Sequence, residues 1–431
     1  MSPETIGLLL MIAFLIVLII GLPISFSMLL IGAVGIAIYT SPAVALDSVS
    51  LNLLEQFGNF NYLVIPMYMF MGYLAAESGL GQKFFNTANK WIGHLPGGLA
   101  MAAQAACAVF GAISGCIFAA TVAIGSIAIP EMKRYNYNKR LATTSVGAGA
   151  IIGVLIPPSI ILMLYGIITQ NPIKTLFRCA IIPGIMLMVL NMITIYILVK
   201  RDPDLAPRAA KSSWKERFES LSGGVWQVVV IFLLSLGGLF AGLFTPTEAG
   251  AVGAAGVLIV TLVTRELKWE GIKNALMTTS RSVAMVMLLI GTAMVFGRFL
   301  ALSGLPAKLA NLAGSLPLPP AAIMSVIMFA YLILGCFIDV PALVLMTVPV
   351  LYPIVINILG YDPIWFGVMM IMVQGMGVLT PPVGMVIYVV KDLAKDVPLE
   401  EIFKGVWPFI LTLVVLTAIL IVFPQIVTFA K

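Results

Sequence analysis

Apolar runs recur along the whole chain at lengths that suit helices crossing a hydrocarbon core of about 30 Å, Ile181 to Val199 and Leu411 to Val427 among them. The pattern predicts helices only, in about a dozen membrane segments, because the weaker alternating rhythm of a membrane barrel is absent. Two runs are too eventful for simple spans. From Leu99 to Met132 the chain stays apolar, yet Gly111, Ser114 and Gly115 interrupt it; from Ala321 to Ile358 the interruption is Gly335, Asp339 and Pro341. Such a pattern is expected of a re-entrant helical hairpin with its polar tip at membrane depth, although two full spans joined by a tight turn share the same periodicity. After each hairpin comes an apolar segment containing a double proline, Pro157-Pro158 or Pro381-Pro382, which removes amides and clashes with the preceding turn.

These features recur in one register. A shift of 224 superimposes Gly111 on Gly335, Tyr137 on Tyr361, Gly153 on Gly377 and the first Pro-Pro pair on the second. Upstream, Ser78-Gly79-Leu80 with Lys83 and Asn86 returns as Ser303-Gly304-Leu305 with Lys308 and Asn311. Downstream, Pro172, Phe177 and Arg178 return as Pro398, Phe403 and Lys404. The chain therefore divides into a first repeat over 1–200 (hairpin about 99–132, broken helix about 141–169), a linker over 201–222, and a second repeat over 223–431 (hairpin about 321–358, broken helix about 364–390). Duplicated helical units are a common plan for transporters.

Composition agrees: 61% of the 431 residues are hydrophobic and 10% charged, against roughly 25% charged in a soluble domain. The net charge of +6 reports topology and not a nucleic-acid partner, since the bases are dispersed into short loops. The loop after the first hairpin carries Lys133, Arg134, Lys139 and Arg140, while the loop after the second carries Asp362 and no base. Those loops are expected on opposite sides, which makes the repeat inverted. Threading the other helices places most bases in the cytoplasm and both chain ends outside. Ile6 to Leu22 has no basic start and no cleavage site, so it is expected to remain as the first helix. The linker stretch around Trp214 to Leu221 has the amphipathic character of a surface helix. Cys107, Cys116, Cys179 and Cys336 all lie in apolar segments, without the spacing of a metal site.

The candidate chemistry is narrow. No phosphate-binding G-x-x-x-x-G-K-[ST] occurs, so the chain does not hydrolyse ATP itself. The single histidine, His94, lies in a basic loop, which leaves a serine hydrolase built on Ser114 a remote alternative. What the sequence offers is discontinuous backbone. Broken helices expose carbonyls that suit a hard cation and half-helix N-termini that suit a carboxylate. One candidate cation site is Ser114 and Gly115 facing a break with Gly149, Gly153 and Pro157; the second is Gly335 and Asp339 facing Gly375, Gly377 and Thr380. Asp339 is an isolated acid in an apolar hairpin, a placement costing about 2.5 kcal/mol or more. It is either a cation ligand or proton carrier, or the cap of the segment that follows, and the two roles are compatible. Glu248 reads as a structural acid at a helix start. Arg298 reads as a snorkelling anchor or as a contact for an anionic substrate or a partner.

Thr245-Pro246-Thr247-Glu248-Ala249-Gly250, Gly111-Ala112-Ile113-Ser114-Gly115, Ile156-Pro157-Pro158-Ser159, and Asp339 with Thr380-Pro381-Pro382-Val383-Gly384 together resemble the large membrane subunit of tripartite ATP-independent periplasmic (TRAP) transporters, over essentially the whole chain. The resemblance implies an all-α polytopic protein of the bacterial inner membrane, an elevator-type fold like that of the ion transporter superfamily, and no enzymatic activity. It implies import of an organic acid, such as sialic acid or a C4-dicarboxylate, by symport with Na+, the coupling ion, and no organic cofactor. Two partners are implied, a periplasmic substrate-binding protein and a small four-helix membrane subunit, here a separate chain. Ser114, Cys116, Pro158, Ser159 and Pro382 are the expected substrate contacts. Family hairpins often read Ser-Gly-Ser-Ser where this chain has Ser114-Gly115-Cys116-Ile117, so serine ligands beyond Ser114 do not carry over. A sodium/dicarboxylate carrier that needs no binding protein is the alternative within transport.

Overall fold

A computed structural model describes residues 2–208 and 211–431; residues 209 and 210 of the linker lie outside it. Among the described residues every regular element is helical. Among the described residues, six helices are long and apolar enough to cross a membrane, or up to eight if each of two bent pairs is one span. Shorter apolar helices, including Pro3–Ile19, Ile24–Tyr39 and Pro363–Gly377, make up the remaining segments.

The interruptions read in the sequence each end a helix. The first hairpin consists of Gly98–Ser114 and Ile117–Arg134, separated by Gly115 and Cys116. Gly115 has a φ of +59°, so its left-handed turn needs glycine. The second hairpin consists of Pro320–Gly335 and Val340–Pro353, with a wider break over 336–339 and a continuation to Ile358. The first broken helix is Lys139–Leu155 followed by Ile160–Thr169, the second Pro363–Gly377 followed by Met385–Leu393. Several helix N-termini carry side-chain caps, Ser41, Asn138 and Ser159 among them. Thr245 and Glu248 form a reciprocal capping box at the start of Pro246–Val263, which accounts for Glu248 without a transport role.

Small residues set how closely these elements pack, as is usual where lipid supplies no hydrophobic drive. A Cβ built on Gly111 would stand 2.2 Å from Gly153 Cα, so hairpin and broken helix cross backbone to backbone. At the equivalent place in the second half, a Cβ on Gly377 would stand 2.7 Å from the Gly335 carbonyl carbon. The two broken helices also meet each other: Gly375 leaves room for Ile151, Gly367 for the Tyr165 ring, and the Tyr165 hydroxyl donates to the Pro363 carbonyl at 2.6 Å. They form the centre of the protein, and 89% of the first one's apolar window is buried. Around them stand Val64–Glu77 and Trp269–Ser303, the latter packed on Ile24–Tyr39 where Gly32 and Gly35 receive Phe296 and Phe299.

At the basic end, Lys133 and Lys139 pair with Asp396, and Arg140 with Glu401 at 2.5 Å. These contacts tie the loop after the first hairpin to the loop after the second broken helix and to the start of the helix Leu399–Val422. Lys83 pairs with Glu266 at 2.5 Å. The linker helix Trp214–Ser220 leaves Trp214 and Phe218 exposed while both rings meet Trp91 edge to face, an arrangement suited to the membrane interface.

Candidate functional site

The two hairpin tips open on one cavity of about 210 Å³. The first tip contributes Gly115, Cys116, Ile117 and Phe118, the second Asp339, Val340 and Pro341. Ile160 and Ile161, the first residues after the first Pro-Pro break, line it beside Val154. The opposite wall belongs to the surrounding helices: Tyr73 and Met69 on Val64–Glu77, and Ser282, Val286 and Leu289 on Trp269–Ser303. The Tyr73 and Ser282 hydroxyls lie 2.9 Å apart across those two helices.

The first tip is held tightly. Gly115 N donates to Gly111 O at 2.8 Å, the Gly115 carbonyl accepts from Ile160 N at 3.4 Å, and a Cβ on Gly115 would stand 2.3 Å from Pro158 O. Gly72 closes the other side, with its Cβ direction 2.6 Å from Ser114 Cα. Ser114 is buried, and its hydroxyl has no hydrogen-bond partner among the described residues. It lines a narrow crevice beside the cavity with Tyr73 and Cys116. An unmet buried hydroxyl costs about 1–3 kcal/mol, so it marks a place where a ligand oxygen is available. Gly153 and Gly149 lie about one and two turns further from the break, against Gly111 and Cys107.

The second tip is looser and carries the charge. Asp339 accepts from Val340 N at 2.9 Å, the cap role foreseen for it, and makes no ion pair among the described residues. Its carboxylate therefore faces the cavity without a cation of the protein's own. Gly335 and Gly377 touch, whereas Thr380 donates its hydroxyl to Met376 O at 2.7 Å and keeps its acceptor capacity.

Of the expected substrate contacts, Cys116 lines the cavity and Ser114 adjoins it, but Pro158, Ser159 and Pro382 do not line it. Ser159 caps the half-helix that follows, accepting from Leu162 N at 3.3 Å. Arg298 borders a separate pocket of about 420 Å³ with Thr169, Gln170 and Tyr352. His94 stands beside Arg217, with Nδ1 3.4 Å from Nη2, so Ser114 has no histidine base.

Several residues of this region were not singled out in the sequence. Tyr73 and Ser282 carry no local signal, because their meeting is a long-range fact. Gln104 and Gln374 do carry one, each a lone amide in an apolar run, a placement whose expense applies to amides as well as acids. Gln104 donates to Ser145 O at 2.5 Å and accepts from Asn191 Nδ2 at 3.1 Å, all of them buried. Gln374 is fully buried beside Gly335, with both amide atoms unpartnered among the described residues.

Comparison with known proteins agrees with this architecture. The structure resembles the Alcanivorax borkumensis YdaH transporter, a crystal structure described as having an unusual topology, with a TM-score of 0.59 and 16% identity over 89% of this chain and 90% of that one; that likeness concerns the fold. The sialic acid TRAP transporter large permease protein SiaM of Vibrio cholerae is 32% identical over 94% of this chain and 93% of its own length. The C4-dicarboxylate TRAP transporter large permease protein DctM of Pseudomonas aeruginosa is 32% identical over 92% and 91%. Residues 11–426 match the family described as the tripartite ATP-independent periplasmic transporter, DctM component. Its relatives are transporter permeases and not enzymes, and its apolar helices make it a multi-pass protein of the bacterial inner membrane: the chain belongs to the DctM family of TRAP transporter large subunits.

Proposed function

We propose that this chain imports an organic acid by sodium-coupled symport, taking it from a periplasmic binding protein and working beside a small four-helix membrane subunit. The observation that carries the reading is the shared cavity, where an ion-unpaired carboxylate, Asp339, stands opposite the N-terminal end of the half-helix Ile160–Thr169. A half-helix N-terminus attracts an anion. Yet two unit negative charges about 4 Å apart repel by about 4 kcal/mol at an effective dielectric of 20, so an anionic cargo enters beside Asp339 only when a cation accompanies it. That requirement is coupling in physical terms.

Sodium is assigned to two sites. The first comprises Ser114, Gly115, Gly149, Gly153 and Pro157, the second Gly335, Asp339, Gly375, Gly377 and Thr380. The unmet Ser114 hydroxyl and the lone Asp339 carboxylate support them. Cargo binds between the tips, against Cys116 and Ser114. The hairpins and broken helices, as inverted repeats, form the moving body of an elevator, and Val64–Glu77 with Trp269–Ser303 forms part of the fixed scaffold. The seam between these bodies runs through the cavity. Arg298, in its outer pocket, meets the arriving carboxylate. Names of relatives point to sialic acid and C4-dicarboxylates as the range of acids the family moves.

The test is uptake into proteoliposomes holding the large and small subunits, driven by a sodium gradient with the binding protein present. Asp339→Ala abolishes sodium-dependent uptake while the two membrane subunits still copurify. Unchanged uptake would refute the assignment.

A further inference from the structure

The cavity's lining narrows the class of acid. Apart from Asp339, its polar side chains are the Tyr73 and Ser282 hydroxyls, already paired with each other, and the Cys116 thiol. No Lys, Arg or His lines it among the described residues. The rest of the wall is apolar, with Met69, Ile117, Phe118, Ile161, Val286 and Leu289 distributed over both hairpin and scaffold sides.

A polyhydroxylated acid placed here would lose water from each hydroxyl and find few partners in return. A second carboxylate would find no cation and would face Asp339. An apolar body, by contrast, gains from displacing water against Ile161, Val286 and Leu289. One carboxylate oxygen has room to approach the end of the half-helix that begins at Ile160, where Ile160 N already donates to Gly115 O and Leu162 N to Ser159 Oγ. The Pro-Pro breaks supply no further polar side chain, because Ser159 and Thr380 are both outside the lining.

From this lining we infer that the preferred cargo is a monocarboxylate with a compact apolar body, such as a branched aliphatic 2-oxo acid, and not a sugar acid or a dicarboxylate. The inference rests on the reading of this cavity as the cargo site of a sodium-coupled carrier.

Ligand-induced thermal stabilisation of the purified membrane complex, titrated in sodium and in potassium, tests it with three probes: 4-methyl-2-oxopentanoate, succinate and N-acetylneuraminate. In sodium, 4-methyl-2-oxopentanoate half-saturates at a concentration about tenfold or more below the other two, a preference of about 1.4 kcal/mol. Half-saturation by succinate or N-acetylneuraminate at an equal or lower concentration overturns the inference. Binding of the oxo acid that is equal in sodium and potassium leaves it standing and overturns the coupling instead. No binding of any of the three overturns both. Ile161→Thr and Val286→Thr, which put a hydroxyl on the wall with little change of shape, reduce the preference about threefold or more. The wild-type titration decides the matter even where a variant fails to fold.

Discussion

The two hairpins occupy equivalent places in the sequence repeat but are built differently. The first turns in two residues, locks its carbonyl onto Ile160 N, and presents an uncharged oxygen, Ser114 Oγ, in a crevice. The second spreads its turn over four residues and presents a carboxylate. The breaks differ as well. The first Pro-Pro segment is bonded to its hairpin tip, whereas the second closes on itself, with Val386 N donating to Val378 O at 3.2 Å and Ile387 N to Gly384 O at 2.7 Å. The first tip is thus the tighter and neutral one, the second the wider and charged one. The cost of burying charge falls on a single residue, Asp339, which under the proposed sodium coupling is the place where ion binding has the largest effect.

This contrast is broken most directly at Asp339. Outer-shell partners of a metal site alone are worth about 10–100-fold, so Asp339→Ala lowers sodium-dependent uptake by about a hundredfold or more. The matching change at the first tip, Ser114→Ala, weakens sodium dependence by about tenfold. It also removes an unmet buried hydroxyl, so the variant is as stable as the parent or up to about 1 kcal/mol more so. Thermal unfolding and uptake measured on the same preparations separate the two effects.

The glycine crossings give the next largest difference. Gly111→Ala drives a methyl into the Gly153 backbone at 2.2 Å and destabilises by about 1–3 kcal/mol. Gly335→Ala meets its nearest atoms at 3.4 and 3.5 Å, ordinary contact, and gains helix propensity of up to about 1 kcal/mol. Equal losses in the two variants would mean that the halves pack alike. Gln104→Leu leaves Asn191 Nδ2 without its partner and costs about 1–3 kcal/mol. Residue 328, its position in the second half at a shift of 224, is a methionine, so that half has no corresponding amide to lose.

What was legible in the sequence is what violates a local rule. Gly115, the double prolines and Asp339 each break an expectation for an apolar helix, and each lies where a helix ends. Tyr73 and Ser282 violate nothing, since a Tyr or Ser in a membrane helix is unremarked until two distant helices bring them together. Ser159 shows a related limit: a hydroxyl after Pro-Pro suits a ligand and a cap equally, and the backbone geometry shows the cap. Gln374 was detectable by its expense, like Asp339, and neutral amides deserve the same scrutiny as charges in such runs.

The smallest effect is expected where the halves are tied by surface charge. Hydrogen bonds from Lys133 and Lys139 hold the Asp396 carboxyl down to about 2. Its folded value lies below the ordinary 3.8, so its contribution to stability is present above that value and is lost as pH falls toward 2. Asp396→Asn therefore lowers the unfolding midpoint slightly at pH 7, and the gap to the parent closes between about pH 4 and pH 2. A gap independent of pH would assign the effect to packing instead.

The claim that both tips enclose one sodium-linked site is tested most directly by the reactivity of Cys116, the thiol that lines the cavity beside Asp339. With Cys107, Cys179 and Cys336 replaced by alanine, alkylation of Cys116 is followed in sodium and in potassium. Sodium slows labelling about tenfold or more, and Asp339→Ala removes the difference. Equal rates in the two salts with Asp339 intact would contradict the account.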